Sequence, residues 1–248
     1  MLVQEVASWN ADADQFKGLL RSRPEQQADD GNMMTDESNL RAELVRQYRR
    51  VSELRLNELA SGNLSCRFGD GMLISPTGAS AASISEDNVV HVGPEGAWTG
   101  DHAPSSEWRM HWTIYRDHSE AGAVVHTHSD YCVAVSCQNA PLPGFHYLVG
   151  LFGGVDVPCV PYSTFGSEQL ANEAAAALEQ RTACLLANHG MISRGRDLNT
   201  AVNFAHRLEI MCRQYVLARQ LGEPTHLTDD EWRAFFAKMK GAGYGAKG

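Results

Sequence analysis

The sequence predicts an α/β fold of one domain, in which a mostly antiparallel central sheet is covered by helices on both faces. Short alternating segments, such as residues 64–68 and 72–75, are joined by tight turns, as is typical of antiparallel hairpins. Segments with helical periodicity lie between the strands. The sequence shows neither a βαβ repeat nor an internal period, which disfavours a parallel, doubly wound sheet.

Turn-forming residues bound each predicted element. The expected strands are residues 64–68, 72–75, 89–92, 121–126, 155–160, 184–188 and 191–194. The expected helices are residues 38–60, a helix opening at 104–106, and residues 129–137, 167–180, 197–222 and a last helix from 228. Ser105 or Ser106 is the expected N-cap of the second helix, and Asp197 that of the fifth. No linker divides residues 36–240, so we assign residues 38–248 to one catalytic domain and expect residues 1–37 to form a mobile N-terminal extension.

Composition excludes several classes of function. The net charge of -9 and the isoelectric point near 5.5 argue against nucleic acid as the main partner. No apolar run reaches the roughly 18 residues that a membrane helix needs. The N-terminus lacks a basic segment followed by an apolar one, and the six cysteines are scattered singly. We therefore expect a cytoplasmic protein whose cysteines are reduced packing residues.

His126 and His128 suggest a metal site. They end an apolar strand and are two residues apart, so both imidazoles point to the same side. Two hydrogen-bonded histidines at a strand end are the alternative. His189, between two strands and before a glycine, is a candidate third ligand, and Glu107 is either a helix-end carboxylate or a metal ligand and base. Four other histidines sit among polar or turn residues and are expected at the surface: His91, His102, His118 and His226. His111 and His206 lie on helix stripes and are expected in the core or behind the metal ligands.

Three turn-rich segments carry hydroxyls and backbone N–H groups that suit an anion. They are Ser61-Gly62-Asn63, Ser75-Pro76-Thr77-Gly78 and Pro104-Ser105-Ser106. Each is weak evidence alone, because turns are made of these residues in any case. The sequence has no Walker loop or GxGxxG motif, so nucleotide binding has little support.

Seven motifs together resemble the class II aldolase/adducin family over about residues 38–225. They are SGNLS, MLISPTG, PSSEWRMHWTIY, AVVHTHSDYCVAVS, FHYL, PYSTFGS and LLANHG. The resemblance implies one divalent metal per chain, zinc in type although manganese or cobalt stays open, held by His126, His128, His189 and Glu107. It implies a phosphate pocket at Gly62, Asn63, Thr77, Gly78, Ser105 and Ser106. It also implies that Tyr147 of a neighbouring subunit is a general acid, that Tyr244 is a possible lid, and that the protein is a homotetramer with interfacial sites.

The implied reaction is cleavage of a phosphorylated sugar, a ketose 1-phosphate such as L-fuculose 1-phosphate, to dihydroxyacetone phosphate and an aldehyde. Glu107 would then be both ligand and catalytic residue. A metal-dependent decarboxylase on the same scaffold is the alternative. A pentulose-phosphate 4-epimerase is less favoured, because those enzymes carry an aspartate where Glu107 stands. An adducin-like interaction module is disfavoured, because the adducin head domain lacks the zinc-binding histidines and this sequence has all three.

Overall fold

A computed structural model describes residues 30–58 and 60–241 of the protein. The helices are α1 (Asp30–Glu53), α2 (Trp108–Asp117), α3 (Asp130–Ser136), α4 (Glu168–Ala177), α5 (Leu198–Leu221) and α6 (Asp229–Gly241). The strands are β1 (Asn63–Phe68), β2 (Gly71–Ile74), β3 (Val90–Val92), β4 (Ala123–Thr127), β5 (Cys159–Val160), β6 (Ala183–Leu186) and β7 (Gly190–Gly195). In this part of the chain, no helix is long and apolar enough to cross a membrane.

The seven strands form one sheet in the order β3-β2-β1-β4-β7-β6-β5. Neighbouring strands are antiparallel except β5 and β6, which are parallel. The prediction of a mostly antiparallel sheet is therefore confirmed, with one parallel pair at the edge. Strand β5 is shorter than predicted, because only Cys159 and Val160 pair with β6, while Val157 bridges to Leu142 instead.

Helices cover both faces of the sheet, as predicted. Successive side chains of a strand point to opposite faces, and on β1 this places Leu64 and Cys66 in the core beneath α1, α3 and α5. The opposite face packs against α2 and α4, with Ile114 and Leu170 among its buried contacts. Asn63 and Ser65 alternate with the apolar residues of β1, so they point toward the α2 layer.

Helix α1 differs from the prediction at both ends. It begins at Asp30 and ends at Glu53, whereas residues 38–60 were expected. Residues 30–37, which we expected in the extension, are therefore helical, and residues 1–29 lie outside the described residues. The helix ends because Arg55 adopts a left-handed conformation at φ 56°, and the Leu56 N–H then donates to the Val51 carbonyl. This is a Schellman ending with arginine where glycine is usual.

Smaller differences concern α2 and two side chains. Helix α2 begins at Trp108 with Glu107 at its N-cap position, so neither Ser105 nor Ser106 is the N-cap. His118 is buried rather than at the surface, because its Nε2 lies 2.9 Å from the Ala175 carbonyl oxygen. All six cysteines are free thiols, but Cys137 is exposed rather than packed.

Candidate metal centre

Four side chains converge where β1, β4 and β7 meet the start of α2. The ligand atoms of Glu107, His126, His128 and His189 all lie within 4.8 Å of one another. The Nε2 atoms of His126 and His128 are 2.8 Å apart. Glu107 Oε2 lies 3.1 Å from His126 Nε2, and Glu107 Oε1 lies 3.4 Å from His189 Nε2. The structure thus brings together all four residues that were predicted as metal ligands.

Strand β4 positions the first two histidines as the period of a strand requires. His126 pairs with Asn63 of β1 and with Ile192 of β7, so it lies at the centre of the sheet and is fully buried. His128 follows the last residue of β4 and returns to the same side, with ring centroids 4.7 Å apart.

His189 reaches the cluster because the β6–β7 connection is very short. Asn188 takes a left-handed conformation at φ 53°, which turns the chain and directs the next side chain toward β4. Gly190 then allows β7 to approach β4 closely. A Cβ atom there would lie 2.4 Å from the Thr127 carbonyl oxygen and 3.0 Å from His128 Cδ2. The glycine therefore gives His128 and His189 the room to face each other.

The Glu107 side chain makes no helix-capping hydrogen bond, although the residue occupies the N-cap position of α2. Instead its Oε2 accepts a hydrogen bond from Asn63 Nδ2 at 3.1 Å. Its buried Oε1 atom has no hydrogen-bond partner. Glu107 therefore does not act as a capping side chain of α2, which was one of the two roles considered from the sequence.

The electrostatics of the cluster favour a cation. Burial works to raise the pKa of Glu107, but His126 and His189 outweigh it and hold the pKa below its usual value. Burial works to lower the pKa of His126, and the adjacent Glu107 carboxylate instead raises it. Burial and the neighbouring His126 lower the pKa of His128 to about 3 and that of His189 to about 4. At neutral pH the carboxylate is ionised and these last two rings are neutral.

These side chains fit a divalent metal ion. His126 Nδ1 lies 2.8 Å from the Met191 carbonyl oxygen, so Nδ1 carries a proton and Nε2 is the nitrogen that faces the cluster and would bind a metal in place of its proton. Three imidazoles and one carboxylate match the donor set of zinc sites and also suit other first-row metals. The unpartnered Glu107 Oε1 atom supplies a further oxygen donor. The group can hold one divalent cation.

The six predicted phosphate-binding residues lie on three segments that hydrogen bonds join. Ser75 connects the second segment to the other two. Its N–H donates to the carbonyl of Leu64, the residue that follows the first segment, and its own carbonyl accepts from the N–H of Ser105 in the third. Three of the six, Thr77, Gly78 and Ser106, are exposed, and three, Gly62, Asn63 and Ser105, are buried. The Gly62 N–H donates to Asn57 Oδ1 at 2.7 Å, and the Asn63 amide donates to Glu107.

The two predicted tyrosines have different outcomes. Tyr147 begins a short 3₁₀ segment, Tyr147–Phe152, and is 50% exposed. Its ring contacts among the described residues are with His146 and Phe235. Such an exposed ring is available to another molecule. Tyr244 lies outside the described residues.

A buried polar network behind Glu107 was not predicted from the sequence. It comprises Asn63 and Ser65 of β1 and His111 and Tyr115 of α2. Burial and the neighbouring His126 lower the pKa of His111 to about 3. The spacing on α2, with Glu107, His111 and Tyr115 four residues apart, was the available signal, since such residues share one helix face.

Comparisons with known proteins agree with this arrangement. Residues 42–216 match the family model described as Class II Aldolase and Adducin N-terminal domain. The chain is 43% identical over 208 residues to a 5-methylthioribulose-1-phosphate/5-deoxyribulose-1-phosphate aldolase of Rhodospirillum rubrum, covering 84% of this chain and 94% of that protein. It is 38% identical over 181 residues to an L-fuculose phosphate aldolase of Escherichia coli, covering 73% of this chain and 84% of that protein.

A solved structure named L-fuculose 1-phosphate aldolase aligns with a TM-score of 0.77 and 34% sequence identity, covering 82% of this chain and 97% of that one. The chain therefore belongs to the class II aldolase and adducin N-terminal domain family. Within that family it is an enzyme, a class II aldolase, and hence a carbon–carbon lyase. The enzyme prediction is confirmed, and the adducin-like alternative is not supported.

Proposed function

We propose that the protein cleaves a ketose 1-phosphate into dihydroxyacetone phosphate and an aldehyde with the help of one bound divalent metal. The observation that carries the proposal is the convergence of Glu107, His126, His128 and His189 within 4.8 Å. Zinc is the proposed metal, because imidazole and carboxylate ligands in a buried site suit it. When bound, the metal supplies the Lewis acidity that stabilises negative charge as the C3–C4 bond breaks.

The side chains of this protein divide the proton transfers between them. The C4 hydroxyl loses its proton as the C3–C4 bond breaks, which leaves an aldehyde and a carbanion at C3. Glu107, ionised and next to the three imidazoles, removes the proton from C3 in the condensation direction. In the cleavage direction the protonated form of the same carboxyl group returns a proton to C3 and becomes the carboxylate again. Tyr147 of a second subunit gives its phenol proton to the aldehyde oxygen in the condensation direction and takes the C4 hydroxyl proton in the cleavage direction, and its exposed ring supports that role. Exchange of one proton with solvent at Tyr147 and one at Glu107 restores both groups for the next turnover.

We propose that the phosphate group binds the three segments that contain Gly62, Asn63, Thr77, Gly78, Ser105 and Ser106. Exposed N–H groups and hydroxyls near Gly78 and Ser106 are suitable donors to an anion. Holding the phosphate positions the rest of the sugar at the metal, and such positioning can contribute greatly to the rate.

The proposed substrate is a five-carbon 5-deoxyketose 1-phosphate of the 5-methylthioribulose 1-phosphate type, with L-fuculose 1-phosphate as the alternative. The name of the Rhodospirillum rubrum relative, at 43% identity, favours the former over the substrate of the Escherichia coli relative at 38%. Cleavage at C3–C4 leaves acetaldehyde from 5-deoxyribulose 1-phosphate, its methylthio derivative from 5-methylthioribulose 1-phosphate, and a three-carbon hydroxyaldehyde from L-fuculose 1-phosphate. The substrates therefore test the size and polarity of the aldehyde pocket.

We further propose that the protein is a cytoplasmic homotetramer with sites at the subunit interfaces, and that Tyr244 closes over the substrate. We also propose that residues 38–248 form its catalytic domain and that residues 1–37 precede it as an extension, which joins the domain through helix α1 (Asp30–Glu53). Free thiols support the cytoplasmic location. The 50% exposure of Tyr147 supports an interfacial role.

The test is a coupled assay of dihydroxyacetone phosphate release. The zinc-loaded protein receives 5-methylthioribulose 1-phosphate, 5-deoxyribulose 1-phosphate and L-fuculose 1-phosphate in turn, with and without a chelator. Chelator-sensitive release with a higher kcat/KM for the five-carbon substrates supports the proposal. No release from any substrate, at one metal per chain, would refute it and would favour decarboxylation of a related sugar acid or epimerisation of a pentulose phosphate.

A further inference from the structure

A chain of buried polar side chains connects Glu107 to the interior of the protein. Asn63 Nδ2 lies 3.1 Å from Glu107 Oε2, and Asn63 Oδ1 lies 2.5 Å from His111 Nε2. His111 Nδ1 lies 2.7 Å from Ser65 Oγ, which in turn lies 2.8 Å from the Tyr115 hydroxyl. Asn63, Ser65, His111 and Tyr115 are all buried, with exposures of 4% or less.

The direction of every hydrogen bond in this chain follows from its first member. The Glu107 carboxylate only accepts, so the Asn63 amide must turn its NH₂ group toward it. The amide oxygen of Asn63 then faces His111 Nε2, which must donate. A neutral ring that donates from Nε2 accepts at Nδ1, so Ser65 donates to His111. The Ser65 oxygen is left to accept from Tyr115.

All donors in the chain therefore point toward the carboxylate. Hydrogen bonds aligned in this way polarise one another, and they do so most strongly where water is excluded. The reverse orientation of the amide would place the Asn63 oxygen against the Glu107 carboxylate, two acceptors with no proton between them. Since the Asn63 amide is nearly symmetrical in shape, its orientation is set by its two partners, the acceptor on Glu107 and the donor on His111.

We propose that His111 is a positioning residue, which donates a hydrogen bond from Nε2 to Asn63 and thereby fixes the Asn63 amide and the Glu107 carboxylate in their reactive orientation. This inference rests on the proposed function, because Glu107 is the proton carrier there. Ser65 and Tyr115 extend the same role, since they hold His111 in the tautomer that donates from Nε2. None of these three side chains contacts substrate in the proposed mechanism.

Methionine and glutamine form a matched pair for the test, because they have similar length and volume but only glutamine has an N–H donor. In His111→Met, kcat should fall by about 10- to 100-fold, because misplaced catalytic groups lose rate on this scale, while KM stays within about threefold. In His111→Gln, a donor near Asn63 Oδ1 should restore kcat to about tenfold above the methionine variant. Equal kcat values for the two variants would overturn the proposal.

His118 provides the control, because it is also a buried histidine and lies at the C-terminal end of α2, the helix that contains His111. Its Nε2 lies 2.9 Å from the Ala175 carbonyl oxygen, so it takes no part in the chain that leads to Glu107. His118→Met and His118→Gln should lose stability but have equal kcat values. A difference between them as large as that between the His111 variants would indicate a general effect of buried histidines and would also count against the proposal.

The tautomer of His111 can be observed without any variant that might fail to fold and without any substrate. We expect ¹⁵N NMR of zinc-loaded, ¹⁵N-histidine-labelled protein to show His111 protonated at Nε2 and unprotonated at Nδ1. A proton on Nδ1, or a doubly protonated ring, would overturn the proposal. This result does not depend on which substrate is cleaved, so it separates failure of the hydrogen-bond chain from failure of the proposed function.

Discussion

Replacing Gly190 with alanine should damage the metal centre more than any surface change of the same size. The added Cβ would lie 2.4 Å from the Thr127 carbonyl oxygen and 3.0 Å from His128 Cδ2. Contacts below 3.0 Å are essentially never seen for real Cβ atoms, so the Thr127 backbone and Gly190 must separate by at least about 0.6 Å. The residues that move are adjacent to His128 and His189, so two ligands shift together.

The expected size of the effect follows from overpacking. Forcing a methyl group into a tightly packed contact destabilises a protein by about 1–3 kcal/mol, and the roughly 0.8 kcal/mol from burying one more carbon only partly offsets it. We expect a loss of about 1–3 kcal/mol in the free energy of unfolding of the metal-free protein, measured in urea. We also expect zinc affinity to fall at least tenfold, measured by competition with a coloured chelator.

Gly93→Ala is the matched control. Its Cβ would lie 3.6 Å from the Ala97 carbonyl oxygen, an ordinary contact, and its φ of -78° suits alanine. This variant should stay within about 0.5 kcal/mol of wild type in stability and should bind zinc as wild type does. If Gly190→Ala also bound zinc with wild-type affinity and stability, the close approach of β7 to β4 would not be what holds the ligands.

Three more predictions concern single side chains. Glu107→Gln should fold normally and lose about 10²- to 10⁴-fold in kcat, as expected for a proton carrier, and full turnover in steady-state kinetics would remove it from the mechanism. His126→Ala should lower the bound metal per chain, and unchanged metal content by elemental analysis would contradict its role as a ligand. Asp197 Oδ1 accepts from the Thr200 N–H at 2.7 Å, so Asp197→Ala should cost about 1 kcal/mol of stability at pH 7 while Asp197→Asn, which can also cap, should cost less. Burial works to raise the pKa of Asp197, but hydrogen bonds from Thr200 and Arg196 outweigh it and lower the pKa. The stabilisation is therefore present above the unfolded pKa of about 3.9 and is lost as pH falls through the lower folded value. In urea unfolding the difference from Asp197→Ala should shrink as pH falls below about 4, and a difference that does not change with pH would refute this reasoning.

Local patterns were sufficient where a signal repeats along the chain. The alternation in β1 and β4 predicted both strands, and the two-residue spacing of His126 and His128 predicted that their rings share a side. Asp197 caps α5 as predicted, because an N-cap aspartate acts on its own helix. The four proposed ligands were identified together only through resemblance to a family, since their meeting depends on how β1, β4, β7 and α2 pack.

Signals that depend on distant contacts or on unusual backbone conformations were missed. The end of α1 was predicted at residue 60, but the helix ends at Glu53. The residue that ends it in a left-handed conformation is Arg55, whereas glycine is the usual sequence signal for such an ending. His118 was expected at the surface, because its acceptor is the carbonyl of Ala175 in another helix. Similarly, nothing near Ser65 in the sequence shows that its hydroxyl faces His111 across the gap between strand and helix.

Strand β1 has a consequence for how insertions and deletions would act on this protein. Its alternate residues have two different roles. Leu64 and Cys66 fill the core on one face of the sheet. On the other face, Asn63 hydrogen-bonds to Glu107 and Ser65 hydrogen-bonds to His111. A shift of the strand by a single residue exchanges these faces. It would place apolar side chains against the Glu107 carboxylate and polar ones in the core, so loss of folding and loss of activity would occur together. Libraries intended to broaden substrate range should therefore keep the length between Gly62 and Gly69 constant.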